Sequence, residues 1–106
     1  MTDLTPELSK KEFENYTKQG LVLIDFFADW CMPCIMMEPI IGDLAQKYKS
    51  KIKFGKVDID ENNDIADRYN VASIPNFILF KDGKKVDQFI GSSSQEDFEK
   101  KLKKFV

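Results

Sequence analysis

The run LVLIDFFA at residues 21–28 is the feature that most restricts the folds open to this chain. It contains one charge, Asp25, and is apolar at the positions that would lie on both faces of a strand. Such a strand needs cover on both sides, which is typical of a central strand with helices above and below it. The run IKFGKVDID at 52–60 predicts a second strand, and the helical spacing of apolar residues over 31–49 predicts a helix between the two. Two strands joined by a long helix predict a parallel βαβ unit.

Shorter signals predict the remaining elements, which are helices over 10–18, within 61–71 and over 94–105, and strands over 76–80 and 85–90. The capping-box pattern Ser-x-x-Glu begins at Ser9 and again at Ser93. Asn62 or Asn63 is the expected cap of the short helix. An Asp-Gly pair at 82–83 predicts a tight hairpin between the last two strands.

This order of elements predicts an α/β fold with a mixed sheet and helices on both faces. A further strand is possible near Leu4, which would make five strands instead of four. The 106 residues suit a single domain over 1–106. A hydrophobic fraction of 42% beside 32% charged residues is typical of a soluble globular chain.

Composition excludes several classes of function. The chain has no histidine, so Ser-His-Asp, Cys-His and His-ligated metal sites are excluded. The net charge of −2 argues against nucleic acid as a partner, because such binding needs a clustered basic surface. The sequence contains neither a secretory leader pattern nor an apolar stretch long enough to span a membrane. We therefore expect a cytoplasmic protein.

The only two cysteines, Cys31 and Cys34, are separated by Met32 and Pro33 and follow the central strand directly. A cysteine in the first turn of a helix lies near unpaired N–H groups, which stabilise its thiolate and lower its pKa. Side chains three residues apart on a helix are close enough to form a disulfide after a small adjustment. We expect Cys31 to be an exposed, attacking thiolate and Cys34 to be a shielded thiol that resolves the mixed disulfide.

Three other interpretations of the two cysteines are possible. A permanent disulfide is rare in the cytosol, and a loop this short gives it little stabilising effect. A zinc site needs four ligands, whereas one chain supplies two sulfurs and no histidine. Copper(I) would suit the thioethers of Met32, Met36 and Met37, although methionines on a helix are usually core residues. The redox dithiol is the favoured interpretation, and we expect no metal.

The segments VLIDFFADWCMPC, KVDIDEN, SIPNFILFKDGK and IGS, in this order, resemble the landmarks of the thioredoxin family from end to end. The resemblance implies a thioredoxin fold, with a central mixed sheet of four to five strands flanked by four helices. It also implies a protein disulfide reductase that acts through a Cys31/Cys34 dithiol and is regenerated by a thioredoxin reductase. We expect a monomer that needs no cofactor.

The resemblance also assigns an acid and its partner. A carboxylate within the apolar run should be driven toward its neutral form, unless Asp25 only marks the surface end of a strand. The resemblance implies that Asp25 is a buried acid that exchanges a proton with Cys34. It implies that Lys56 pairs with Asp25, whereas the sequence alone would also fit an ordinary solvated lysine.

A substrate groove is the last implied feature. The resemblance predicts a cis bond between Ile74 and Pro75 opposite the dithiol, with the backbone before Pro75 pairing with an extended substrate segment. Trp30, Ile59 and Gly91 complete the implied apolar groove, together with Met32 and Pro33 of the motif. From the sequence alone, Trp30 could also be an ordinary core residue.

Four positions depart from the commonest family pattern. Met32 stands where glycine is usual, Ile35 where lysine is common, Asn76 where threonine is usual and Phe27 where tryptophan is common. These changes leave the substrate preference and the redox potential open. A glutaredoxin-like or isomerase role set by Met32, or a protein-binding module that uses the same groove without turnover, are the alternatives to disulfide reduction.

Overall fold

The sheet is built around β1 (Leu21–Phe27), which lies between a parallel and an antiparallel neighbour. The computed structural model describes residues 3–106. The other strands are β2 (Lys53–Asp58), β3 (Asn76–Lys81) and β4 (Lys84–Ile90), and the order across the sheet is β2-β1-β3-β4. β2 is parallel to β1, whereas β3 is antiparallel to both β1 and β4. The predicted mixed sheet and its βαβ unit are confirmed.

In the described part of the chain, four helices cover the two faces of the sheet: α1 (Lys10–Tyr16), α2 (Met32–Lys47), α3 (Asn63–Arg68) and α4 (Gln95–Lys103). Successive side chains of a strand point to opposite faces, so β1 contributes to two apolar clusters. The first cluster joins the sheet to α2 and α4 and contains Leu23, Met37, Leu44, Phe77 and Phe98. The second joins the sheet to α1 and α3 and contains Phe13, Val22, Ile24, Phe26 and Ile65. This double burial is the reason that β1 is apolar on both faces.

The further strand expected near Leu4 is reduced to a single bridge between Glu7 and Lys56. Lys56 N donates to Pro6 O at 2.9 Å, and Leu8 N donates to Lys56 O at 2.8 Å. Pro6 has no N–H to donate, so the ladder cannot extend toward Leu4. Within residues 3–106 the sheet therefore has four strands.

Two helix starts differ from the capping predictions. Ser94, rather than Ser93, caps α4, because Ser94 has extended backbone angles and its Oγ accepts the N–H of Asp97 at 3.1 Å. Asn62 occupies the cap position of α3, but its side chain donates to Asp58 O instead of capping the helix. The capping box of Ser9 with Glu12, at the start of α1, is confirmed.

The hairpin predicted at 82–83 is confirmed. Asp82 and Gly83 have φ values of 50° and 85°, and two successive positive values of this kind are typical of a type I′ turn. Asp82 also accepts the N–H of Gly20 with its Oδ1 at 2.8 Å, which ties the hairpin to the start of β1. None of the helices within residues 3–106 combines the length and apolarity needed to cross a membrane.

Substituting alanine for two glycines, Gly55 and Gly42, should change the free energy of unfolding in opposite directions. A Cβ at Gly55 in β2 would lie 2.8 Å from Leu8 Cδ1 and 3.3 Å from Tyr16 Cε2, whereas a Cβ at Gly42 in α2 would meet nothing within 4 Å. We expect Gly55→Ala to lower the free energy of unfolding by about 1–3 kcal/mol through overpacking. We expect Gly42→Ala to raise it by about 1 kcal/mol through helix propensity. Urea unfolding of both variants checks this pair, and a loss of stability in Gly42→Ala would contradict it.

Candidate active site

The cysteine pair lies where β1 leads into α2. Cys31 is the N-cap of α2, and its Sγ accepts the backbone N–H of Cys34 at 3.2 Å. Pro33 lies in the first turn of α2. Its missing N–H costs no hydrogen bond there, because N–H groups in the first turn have no partner within the helix. Cys31 and Cys34 are joined by a disulfide, with their Cα atoms 5.3 Å apart, within the usual range for such bonds. The helix start predicted for the pair, and its ability to form a disulfide, are confirmed.

The expected difference in exposure between the two cysteines is absent in this disulfide form. Cys31 and Cys34 are each 4% exposed, because both pack in one small cluster with Phe27 and Ala28, covered by Ile59 and Ile74. What distinguishes Cys31 is its position at the helix end. The N–H that points at its sulfur favours the charged thiolate after reduction.

The loop before β3 faces this cluster. The bond between Ile74 and Pro75 is cis, as the resemblance implied. Pro75 O accepts the N–H of Gly91 at 2.9 Å, and Gly91 has a φ of 89°. The tertiary structure therefore brings Ile59 and Ile74 against the cysteines and holds Gly91 beside Pro75.

Trp30 borders the site as a surface residue. Its side chain is 70% exposed, which overturns the alternative that it is an ordinary core residue. Its indole Nε1 donates to Asp60 Oδ2 at 2.8 Å, which holds the ring in place next to the cysteine loop. Asp60 was not among the predicted site residues, because a single acid after a strand has no pattern that indicates a partner.

Comparison with known proteins agrees with this geometry. The thioredoxin family model matches residues 4–104. The chain is 45% identical over 89 residues to a thioredoxin from Chlamydia pneumoniae, covering 84% of this chain and 86% of that protein. It is 39% identical over 100 residues to a thioredoxin from Staphylococcus aureus, covering 94% and 96% of the two chains. A solved mutant thioredoxin from Halobacterium salinarum is similar with a TM-score of 0.85 at 30% identity, covering 95% of this chain and 88% of the other.

The chain belongs to the thioredoxin family. Members of this family are protein disulfide oxidoreductases, and this member carries the family's redox-active cysteine pair as a disulfide. It is therefore a thiol–disulfide oxidoreductase with a thioredoxin fold. The family generally acts on protein disulfides and is reduced by thioredoxin reductase.

Asp25 of this thioredoxin is buried, so it does not mark the surface end of a strand. It is 6% exposed, and no described residue makes a hydrogen bond to its Oδ1. Burial raises the pKa of Asp25 to about 7, while Lys56 opposes this increase and Glu38 adds to it. A carboxyl group with this pKa can accept or release a proton near neutral pH.

Lys56 lies opposite Asp25 in the register of β1 and β2. No ion pair within 4.0 Å joins these two side chains among the residues that the structure describes, and Lys56 Nζ lies 5.3 Å from the centre of the Phe27 ring. Asp25, Lys56 and Glu38 line a common cleft of about 220 Å³. Lys56 thus acts on Asp25 through its charge at a distance.

Asn76 is a further residue that sequence reasoning did not assign to the site. Its buried side chain donates to Ser73 O at 3.3 Å and accepts from Gln88 Nε2 at 2.9 Å. These bonds tie the loop that contains Pro75 to β4. The sequence marked Asn76 as a departure from the threonine that is usual after the proline, but it named no hydrogen-bond partner.

The metal alternatives receive no support from the described residues. In the part of the chain from residue 3 onward, one group of acids has spacing suited to a metal ion, and it consists of Glu7, Asp58 and Glu61. That group contains neither cysteine. Met32 and Met36 point to solvent, which argues against a closed copper site of soft ligands.

Replacing Asp25 should change how stability depends on pH. The pKa of this group is about 7 in the folded chain and 3.8 as a reference value, so between these values the folded protein holds a proton that the unfolded chain has released. The contribution of protonated Asp25 to the free energy of unfolding is therefore fully present below about pH 4 and is lost as the pH rises to about 7. We expect Asp25→Asn to be more stable than wild type above pH 7, by an amount on the order of 4 kcal/mol. The stabilities of the two proteins should differ much less at about pH 4.

Thermal or urea unfolding of both proteins from about pH 4 to about pH 9 measures this difference. Asp58→Asn serves as a control, because Asp58 is also buried but accepts the N–H of Asp60. Parallel pH profiles for wild type and Asp25→Asn would show that Asp25 does not titrate in this window.

Proposed function

We propose that this thioredoxin reduces disulfides in protein substrates and is reduced again by a thioredoxin reductase. The observation that carries the proposal is the disulfide at the start of α2, in which the sulfur of Cys31 faces the N–H of Cys34. We also propose a monomeric single domain over 1–106 that acts in the cytoplasm, where a reducing environment suits a disulfide reductase.

The reaction begins with the reduced dithiol. The Cys31 thiolate attacks one sulfur of the substrate disulfide, forming a mixed disulfide and releasing the other substrate sulfur as a thiolate. Cys34 then loses its proton to Asp25, and its thiolate attacks the sulfur of Cys31. The second substrate sulfur leaves as a thiolate, and the Cys31–Cys34 disulfide forms. Two electrons pass to the substrate, and the reductase returns two electrons to the pair.

Asp25 and Lys56 have distinct roles in this proposal. Asp25 is the proton acceptor, a role that its pKa of about 7 supports because the group is poised for transfer at neutral pH. Lys56 favours the charged form of Asp25, which keeps the pKa from rising further. Without this opposing charge, Asp25 would be protonated at neutral pH and would be a poor base.

The substrate surface surrounds the disulfide. We assign to it Trp30 and Ile59, the loop with Ile74 and Pro75, the backbone at Gly91, and the exposed first turn with Met32 and Pro33. The packing of Ile59 and Ile74 against the cysteine cluster supports this assignment, because it puts the loop before Pro75 beside the disulfide. An extended substrate segment would add to this backbone as a short strand.

The single cysteine variants should separate the two roles. We expect wild type to reduce a protein disulfide catalytically with dithiothreitol as the electron donor. Cys34→Ser should accumulate a mixed disulfide through Cys31, because nothing resolves it, whereas Cys31→Ser should form no such adduct. Gel electrophoresis without reductant and mass mapping of the linked cysteine measure both results.

In the reduced wild type at about pH 7, iodoacetamide should modify Cys31 before Cys34 because its thiolate is stabilised at the helix start. Equal or reversed rates would contradict the assignment of the attacking sulfur. Binding of the protein substrate by the double Cys→Ser form, with no loss of affinity, would favour a binding module over a reductase.

Equilibration with glutathione buffers distinguishes a reductase from an isomerase. Met32 is the residue that could move the chain between these roles, because it lies between the cysteines and favours helix more than glycine does. We expect a reduction potential of about −270 mV, which is typical of a thioredoxin. A potential of about −180 mV would instead favour the isomerase alternative. Met32→Gly is the matched variant, since it restores the residue common in the family.

A further inference from the structure

The first two turns of α2 have an apolar face that points to solvent. Met32, Ile35 and Met36 are 64%, 44% and 68% exposed. Their spacing of three and four residues places them on one side of the helix, and Pro39 continues this side. The opposite side of α2 is already buried in the core. The four exposed residues, which we call the α2 ridge, therefore have no role in packing within the fold.

The α2 ridge is continuous with the reactive disulfide. It begins at Met32, directly after the N-cap residue Cys31, and exposed Trp30 lies on the other side of that cysteine. Pro39 is seven residues beyond Met32, which is about 10 Å along a helix. A protein disulfide that reaches Cys31 must bring its neighbouring residues close to this surface. Exposed apolar patches of this kind mark interaction sites, and methionine adapts its shape to different partners.

Carboxylates border the α2 ridge at both ends. Asp43 follows Pro39 by one helical turn on the same side of α2. At the other end, Asp29 precedes Trp30, and Asp60 holds the indole. The one basic residue within α2 is Lys47, which is in an ion pair with Glu99 at the far end of the helix. The ridge therefore suits an apolar segment that carries positive charge.

We propose that the α2 ridge selects substrates whose disulfide is flanked by a bulky apolar residue and by lysine or arginine. This inference rests on the proposed function, since it concerns which protein disulfides the dithiol reduces. The apolar residue would cover Ile35 and Met36, and the basic residue would lie near the bordering carboxylates. A second copy of the chain fits less well, because a symmetric dimer would oppose the same acids. Anionic lipid is disfavoured by the same charges.

Two disulfide-bonded peptides provide the test. They share the same disulfide and length, but one has leucine and arginine beside its cysteine and the other has serine and glutamate. We expect wild type to reduce the first with a kcat/KM about tenfold higher, a ratio that the loss of an apolar contact commonly produces. Each rate is divided by the rate of the same protein with a small aromatic disulfide, which corrects for changes in the dithiol itself.

Exposed positions allow variants that keep the core intact. Ile35→Gln and Met36→Gln should each reduce the preference to about threefold or less, because they remove apolar surface at the ridge. Val86→Gln is the matched control, since Val86 is 41% exposed on β4 toward the hairpin and should keep the full preference. Asp43→Lys should also lower the preference for the peptide with leucine and arginine, because it replaces a bordering carboxylate with a positive charge.

Several results would overturn the proposal. Equal kcat/KM values for the two peptides with wild type would do so, as would a full preference in both Ile35→Gln and Met36→Gln. Sedimentation that finds a dimer dissociated by Met36→Gln would assign the ridge to self-association instead. Co-sedimentation with phosphatidylglycerol vesicles, lost in Met36→Gln, would assign it to lipid. If the proposed function itself fails, wild type reduces neither peptide, which differs from equal reduction of both.

Discussion

Burial of β1 is the constraint on which the rest of the structure depends. The strand has hydrogen-bonded neighbours on both edges and an apolar cluster on each face, so nearly all of it is buried. The same burial acts on its one charge, Asp25, because ionising a buried carboxylate whose Oδ1 has no hydrogen-bond partner among the described residues is costly. The strand therefore supplies both the core of the fold and an acid whose pKa lies near neutral pH.

The end of this strand also determines the chemistry of the cysteines. β1 leads into α2 within a few residues, so the unpaired N–H groups of the helix start lie beside a sulfur. Both cysteines are covered by residues from the strand and from two loops. The reactive pair is thus packed into the core, and the exposed residues next to it are Trp30 and those on the outer side of α2.

The proposed roles separate chemistry from recognition. Cys31, Cys34 and Asp25 lie inside the fold, where a change of side chain disturbs packing. The residues of the α2 ridge lie outside it, where methionine and isoleucine replace the family's commoner glycine and lysine without affecting the core. Under the selection that we propose for the ridge, a chain of this fold changes its preferred substrates while keeping the same reaction.

The sequence by itself determined the strands, the helices, the hairpin and the position of the cysteine pair, because each depends on neighbouring residues and their periodicity. Tertiary structure decided the rest. The ladder beside Lys56 stops at Pro6, so no fifth strand forms among the described residues. Cys31 and Cys34 are buried to the same extent, which removes the expected difference in their exposure. Asp60 accepts a hydrogen bond from Trp30, which lies 30 residues away in the chain. Burial and hydrogen bonding of this kind depend on residues distant in the chain, which local patterns do not specify.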